Sequence, residues 1–157
     1  MTIKGGTPDN RANQTDVSSV LPYSEFVRQL ELKGIWLAEA HISNQYGPDE
    51  PGQGQISVTS SAACHDLQGG FRVLHAYCLT FTTDNSTALE IRVTFGVDYC
   101  CPIAPSADIF STFERSSLAL NTWPYLREFV ANSMARLAWR SFTLPAFKID
   151  AGSLIGR

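Results

Sequence analysis

Charge is scarce in this 157-residue chain. Asp, Glu, Lys and Arg make up 17% of it, and 12 basic against 15 acidic residues leave a formal net charge of −3. The basic side chains are scattered, so no broad phosphate-binding face forms and no nucleic-acid partner is expected. Long apolar runs are missing as well: none approaches the ~20 residues a bilayer-spanning helix needs, and no direct membrane insertion is expected. The opening stretch Met1–Asn10 carries Lys4 but no apolar segment behind it, so it does not read as a secretory signal and a cytoplasmic protein is expected. The four cysteines, Cys64, Cys78, Cys100 and Cys101, form no Cys-x-x-Cys pair and default to thiols in a reducing compartment. His41, His65 and His75 follow no ligand spacing, so neither a metal nor any other cofactor is expected.

Catalytic motifs are lacking too. There is no Gly-x-Ser-x-Gly elbow, no Gly-x-x-x-x-Gly-Lys loop and no His-Glu-x-x-His helix, and no catalytic residue is assigned. Cys100 and Cys101 are neighbours on a strand and point to opposite faces, which makes a poor redox pair. An enzyme or small-ligand carrier would need a deep polar pocket.

What is present is one globular domain, 44% apolar, long enough to bury roughly 70% of its unfolded surface without a staple. Residues 1–20 are polar and aperiodic and read as a flexible tail, residues 21–149 as the domain, and residues 150–157 as a short C-terminal tail. A short helical turn over 21–30 leads into a strand over Leu32–Ile42, with Leu32, Trp36 and Ile42 on one side and Lys33, Glu39 and His41 on the other. Tyr46–Gly54, rich in Pro and Gly, is a loop. Gln55–Cys64 resumes as a strand with Ile56 and Val58 inward, and Gly69 and Gly70 supply a turn with positive φ. Phe71–Phe81 follows with Phe71, Val73, Tyr77, Leu79 and Phe81 on one face. After Asp84-Asn85-Ser86, the run Ala88–Tyr99 alternates most cleanly, Leu89 to Tyr99 against Glu90, Arg92, Thr94 and Asp98. The pattern predicts α+β architecture: a four-stranded antiparallel meander with one face covered by helices.

Pro102 and Pro105 make Cys100–Ala107 a crossover. The period then changes from two to about 3.6. A short helix is predicted over 109–119 and a longer one over Trp123–Trp139, with Thr122 as its cap and Pro124 in its first turn. Trp123, Leu126, Val130, Met134 and Leu137 form one apolar stripe. Phe142–Ile149 is an extended apolar segment.

The run Thr122–Leu137 followed by Phe142-Thr-Leu-Pro-Ala-Phe147 resembles the SecB export-chaperone family. The features shared are the aromatic-Pro-Tyr-x-Arg-Glu helix start (Trp123, Pro124, Tyr125, Arg127, Glu128), the late helical Arg136, and Pro145 in the extended segment. The likeness covers roughly residues 30–148, specific over 122–147 and architectural before it. It implies a protomer that pairs edge to edge and then helix to helix into a homotetramer, a dimer of dimers. The helical stripe Trp123, Leu126, Val130, Met134 and Leu137 is the interface expected from it.

The function implied is an ATP-independent holdase for unfolded or nascent polypeptides in protein export. The alternative is a dedicated chaperone of an antitoxin in a toxin–antitoxin–chaperone set. Client contacts are expected at Ile56, Val58, Phe110, Phe113, Phe142, Leu144 and Phe147, since flat rings accept many apolar partners with little rotamer loss. The sheet face turned toward the export ATPase SecA is expected at Glu39, Glu90 and Arg92. There Arg92 departs from the acidic family pattern, and with ten residues following Phe147 the family's last helix is not expected.

Overall fold

The computed structural model describes residues 21–49, 51–84, 86–140 and 142–148. The expected tails at 1–20 and 150–157 lie outside the described residues, as does Ile149. The element order is α1 (Tyr23–Gln29), β1 (Glu31–Asn44), β2 (Gln55–Leu67), β3 (Gly70–Thr83), β4 (Ser86–Cys100), α2 (Ala107–Phe113), a π-helical turn (Glu114–Leu118) and α3 (Ala119–Arg136). The expected antiparallel sheet with helices on one face is there. Its strand order is β1-β4-β3-β2, so the meander runs only from β2 to β4. β1 crosses through the Pro/Gly loop to the far edge and pairs with β4, a Greek-key arrangement. Tight turns join the other strands: Gly69 has φ +77° and Asp84 φ +47°. Gly70, expected to share the positive φ, does not. It needs glycine for another reason, because a Cβ there would strike the Tyr99 carbonyl of β4.

In β1 the pairing with β4 shifts at Lys33 and again at Ala38. Each extra residue turns the chain over relative to its neighbour strand. Leu32, Ile35, Leu37, Ala40 and Ile42 therefore oppose Tyr99, Val97, Phe95, Val93 and Ile91 and share the helix-facing side. Trp36 opposes Gly96 on the outer side, not with Leu32 and Ile42 as simple alternation predicts.

The helical region is one rod, not two helices. Ser106 caps it, its hydroxyl accepting from the Ile109 amide at 3.4 Å. Inward residues then run Ile109, Phe113, Leu118, Thr122, Leu126, Val130 and Met134. The five-residue step from Phe113 to Leu118 is taken up by the π turn, and it breaks the 3.6 period that sequence reading relies on. Thr122 is thus interior to the rod, not its cap. Pro124 cannot donate to the Leu120 carbonyl, which sits on an exposed part of the rod where water can reach it.

Two apolar clusters fill the space between rod and sheet. One joins Tyr77, Leu79, Ile91, Val93 and Phe95 to Leu126, Val130 and Met134. The other gathers Phe26, Phe71, Val97 and Tyr99 around Phe113 and Leu118. The stripe expected at an oligomer interface therefore packs mainly on its own sheet, which is the correction the fold imposes: Leu126, Val130 and Met134 are buried within the protomer, with Trp123 and Leu137 half-buried beside them.

The rod ends in a Schellman turn. The Trp139 amide donates to the Met134 carbonyl and the Ala138 amide to Ala135, with Ala138 left-handed at φ +59°. The turn drives Trp139 into the first cluster and sends residues 142–148 back across the sheet.

Candidate functional site

Residues 142–148 are extended, neither helix nor strand, and form a strap over the β2–β3 half of the helix-facing side. Beneath them Ile56 and Val58 oppose Phe81 and Leu79 across the β2–β3 ladder. Two α3 side chains hold the strap by its backbone. Arg127 Nε donates to the Leu144 carbonyl at 2.7 Å, and Trp123 Nε1 donates to the Pro145 carbonyl at 2.8 Å. The rings of Trp123 and Phe147 lie 5.5 Å apart. Leu144 is the anchor, 3% exposed, while Phe142 and Phe147 are half-buried at its rims. Trp139 packs edge-on against Phe81 at 5.9 Å and its Nε1 donates to the Gly47 carbonyl at 3.0 Å, tying the crossover loop to the same shelf.

The other half of the same side is bare. On β1, Leu32 is 43%, Leu37 50% and Ile42 39% exposed, although all three point toward the helices. Two shallow grooves run between β1 and the rod. One, of about 300 Å³, is lined by Val27, Leu30, Leu32, Tyr99 and Leu120. The next, of about 260 Å³, is lined by Ile35, Leu37, Phe95, Tyr125 and Phe129.

The outer face of the sheet is polar. Glu39, Glu90 and Arg92 do share it, with Arg92 paired to Glu90 at 2.7 Å. Glu39 and Arg92 border an open trough of about 490 Å³ floored by Thr59, Ser61, Ala76, Cys78 and Thr94. Toward its far end Trp36 lies flat on Gly96, where a Cβ would collide with the ring. Arg72 Cζ stands 4.8 Å from the Trp36 ring centroid and the guanidinium grips Asp98 at 2.7 and 2.9 Å. That hydrogen-bonded pairing holds the Asp98 carboxyl below the usual carboxylate range.

Between the two core clusters a buried polar knot joins sheet to rod. The Thr122 hydroxyl donates to the Leu118 carbonyl at 3.0 Å. Having one hydrogen, it must accept from Tyr77 Oη at 2.8 Å and from His75 Nδ1 at 2.9 Å. His75 Nε2 is then left bare and has no partner. Burial lowers the His75 pKa to about 4 and pushes Tyr77 up to about 12. The imidazole is neutral at ordinary pH.

The structure thus gathers Ile56, Val58, Phe142, Leu144 and Phe147 on one shelf. It separates Phe110 and Phe113 from them: Phe113 is 0% exposed inside the second cluster, and Phe110 packs beside it at 6.1 Å. Phe113 is core, sealed by Phe26, Phe71 and Tyr99. Sequence reasoning missed Leu37, hidden by the bulge at Ala38. It also missed Tyr125 with Phe129, an i,i+4 pair beside the stronger stripe. Among the described residues no His, Cys, Asp and Glu side chains gather into a group able to hold a metal, and no helix is long and apolar enough to cross a membrane.

Solved structures decide what this arrangement is like. The Mycobacterium tuberculosis SecB-like chaperone Rv1957, solved in complex with a ChAD peptide from the HigA1 antitoxin Rv1956, superposes with a TM-score of 0.68. The match covers 80% of this chain and 96% of that one at 15% identity. The fold is SecB-like. A protein of unknown function from Streptococcus agalactiae aligns at TM-score 0.44 and 12% identity over 74% of this chain and 96% of its own. No family model matches the chain, and no curated protein matches it in sequence. In this SecB-like protomer the helix-facing side of the sheet is divided between a strapped flank at β2 and a bare flank at β1.

Proposed function

We propose that this chain is an ATP-independent chaperone, a holdase that keeps apolar stretches of unfolded or nascent polypeptides from aggregating. The observation that carries the reading is the incomplete cover of the sheet's apolar side: bare along β1, and closed along β2 only by a short strap. A holdase needs such surface and no reactive group. Covering about 200 Å² of it is worth roughly 5 kcal/mol before ordering costs, so useful affinity requires several patches on one particle. Copies of the chain supply these patches by pairing along the bare flank and stacking the outer side of α3 into a homotetramer. The contacts are Leu32, Leu37, Ile42, Leu120 and Tyr125 rather than the buried stripe. Clients take the β2 flank, at Ile56, Val58, Phe142 and Phe147.

Two measurements test this. The chain should suppress aggregation of a thermally unfolded test protein without nucleotide, at about one tetramer per client, and its mass in solution should be near four protomers. No suppression at several-fold excess defeats the reading.

A second reading is favoured by a specific observation: the SecB-like neighbour was solved with an antitoxin peptide. In that reading the client is one dedicated antitoxin, and the chain raises antitoxin level without protecting unrelated unfolded proteins. The export role instead uses the outer face. Arg92→Glu should then strengthen binding of SecA, and unchanged binding removes Glu39, Glu90 and Arg92 from any SecA contact.

A further inference from the structure

The geometry points to residues 142–148 as a built-in occupant of the client shelf, a segment of the chain that mimics a client and is exchanged for one. The site it fills takes an extended apolar stretch with a Leu-Pro step, and Trp123 and Arg127 are its positioning residues. This rests on the holdase reading and adds how that site is gated and what it selects.

Four features carry the inference. The strap is held by its carbonyls, which Arg127 and Trp123 grip at 2.7 and 2.8 Å, and carbonyls are what every polypeptide offers whatever its side chains. Pro145 removes one backbone donor that the apolar shelf could not satisfy and forces Leu144 into the extended form. One buried leucine supplies the anchor, and the flanking Phe142 and Phe147 are only half-buried, so the seat is specific at one position and tolerant around it. Finally, the strap follows the Schellman turn at Ala138, after the core-forming helix is complete. Its ordering cost is set against one anchor and two hydrogen bonds, which leaves exchange accessible.

The test uses the full chain and a labelled synthetic peptide copying Phe142–Lys148. Wild type should bind it weakly, because its own strap competes. Leu144→Ser removes the anchor and should tighten peptide binding about tenfold. Phe147→Ser, at the less buried rim, should tighten it about threefold and serves if the first variant folds poorly. Adding Arg127→Met to either should reverse the gain, with circular dichroism unchanged. Peptide affinity equal to wild type in both strap variants, while aggregation suppression persists, overturns the exchange and leaves the holdase reading standing. If wild type fails to suppress aggregation, the holdase reading falls, and the gain or its absence in the variants still decides whether the strap occupies an exchangeable seat.

Discussion

On the β2 flank, Ile56 and Val58 lie under a strap that the chain folds back over them; on the β1 flank, Leu32, Leu37 and Ile42 point the same way and stay 39–50% exposed. The edges themselves differ in the opposite sense. β1 is bulged twice and carries Lys33 and Glu39, devices that discourage indiscriminate strand pairing. β2 keeps an unbroken register for its whole length and carries no charge between Gln55 and Cys64. The flank with exposed side chains thus has a guarded backbone edge, and the flank with covered side chains has an open one. Each flank presents one kind of stickiness at a time.

The sharpest way to break this comparison is to truncate leucines on either side of the divide. Leu126 is the keel beneath both flanks, and Leu126→Ala should cost about 3 kcal/mol in urea denaturation. Leu37→Ala, on the bare flank, should cost under about 0.5 kcal/mol in the monomer and show itself in a smaller solution mass. Equal costs would mean that the β1 flank is covered after all.

Acid should attack the keel and spare the flanks. The unfolded chain binds a proton at His75 near pH 6.5, whereas the folded one does not until about pH 4. Stability is therefore whole above pH 6.5 and falls as pH drops toward 4, by about 1.4 kcal/mol per pH unit. Between pH 6.5 and 5 the loss should be about 2 kcal/mol, and His75→Leu should flatten it. An unchanged slope in that variant would place the titrating group elsewhere. Asp98, whose carboxyl is held below its usual range, contributes only under more acid conditions.

A smaller effect than that of Leu126 concerns the hinge between keel and strap. Ala138 is left-handed where glycine is usual, so Ala138→Gly should stabilise the fold by about 1 kcal/mol. It should leave the strap's hold unchanged, read as unaltered binding of the Phe142–Lys148 peptide. A loss of stability would mean that the Schellman geometry is not limiting.

Strand and turn signals were legible because they are local. Phe71 to Phe81 and Leu89 to Tyr99 declare their inward faces by alternation, and Asp84 and Gly69 mark their turns. The helix was legible in part: Leu126, Val130 and Met134 repeat at the right interval, but the extra residue before Leu118 made one rod look like two. On the candidate site, Ile56, Val58, Phe142, Leu144 and Phe147 were visible as apolar residues in extended segments, and nothing local marked Phe113, on a predicted helix, as core rather than client contact.

Composition and periodicity, by themselves, determined that this chain makes an antiparallel sheet with a helical cover and closes with an extended apolar segment, since those follow from neighbours within a few residues. Only the tertiary structure decided that β1 docks on β4, that the bulge at Lys33 turns Trp36 away from Leu32, and that the helical stripe faces its own sheet. The same holds for which flank stays bare. Those outcomes depend on competition among residues far apart in sequence for a limited area of apolar sheet, and no local pattern records who wins.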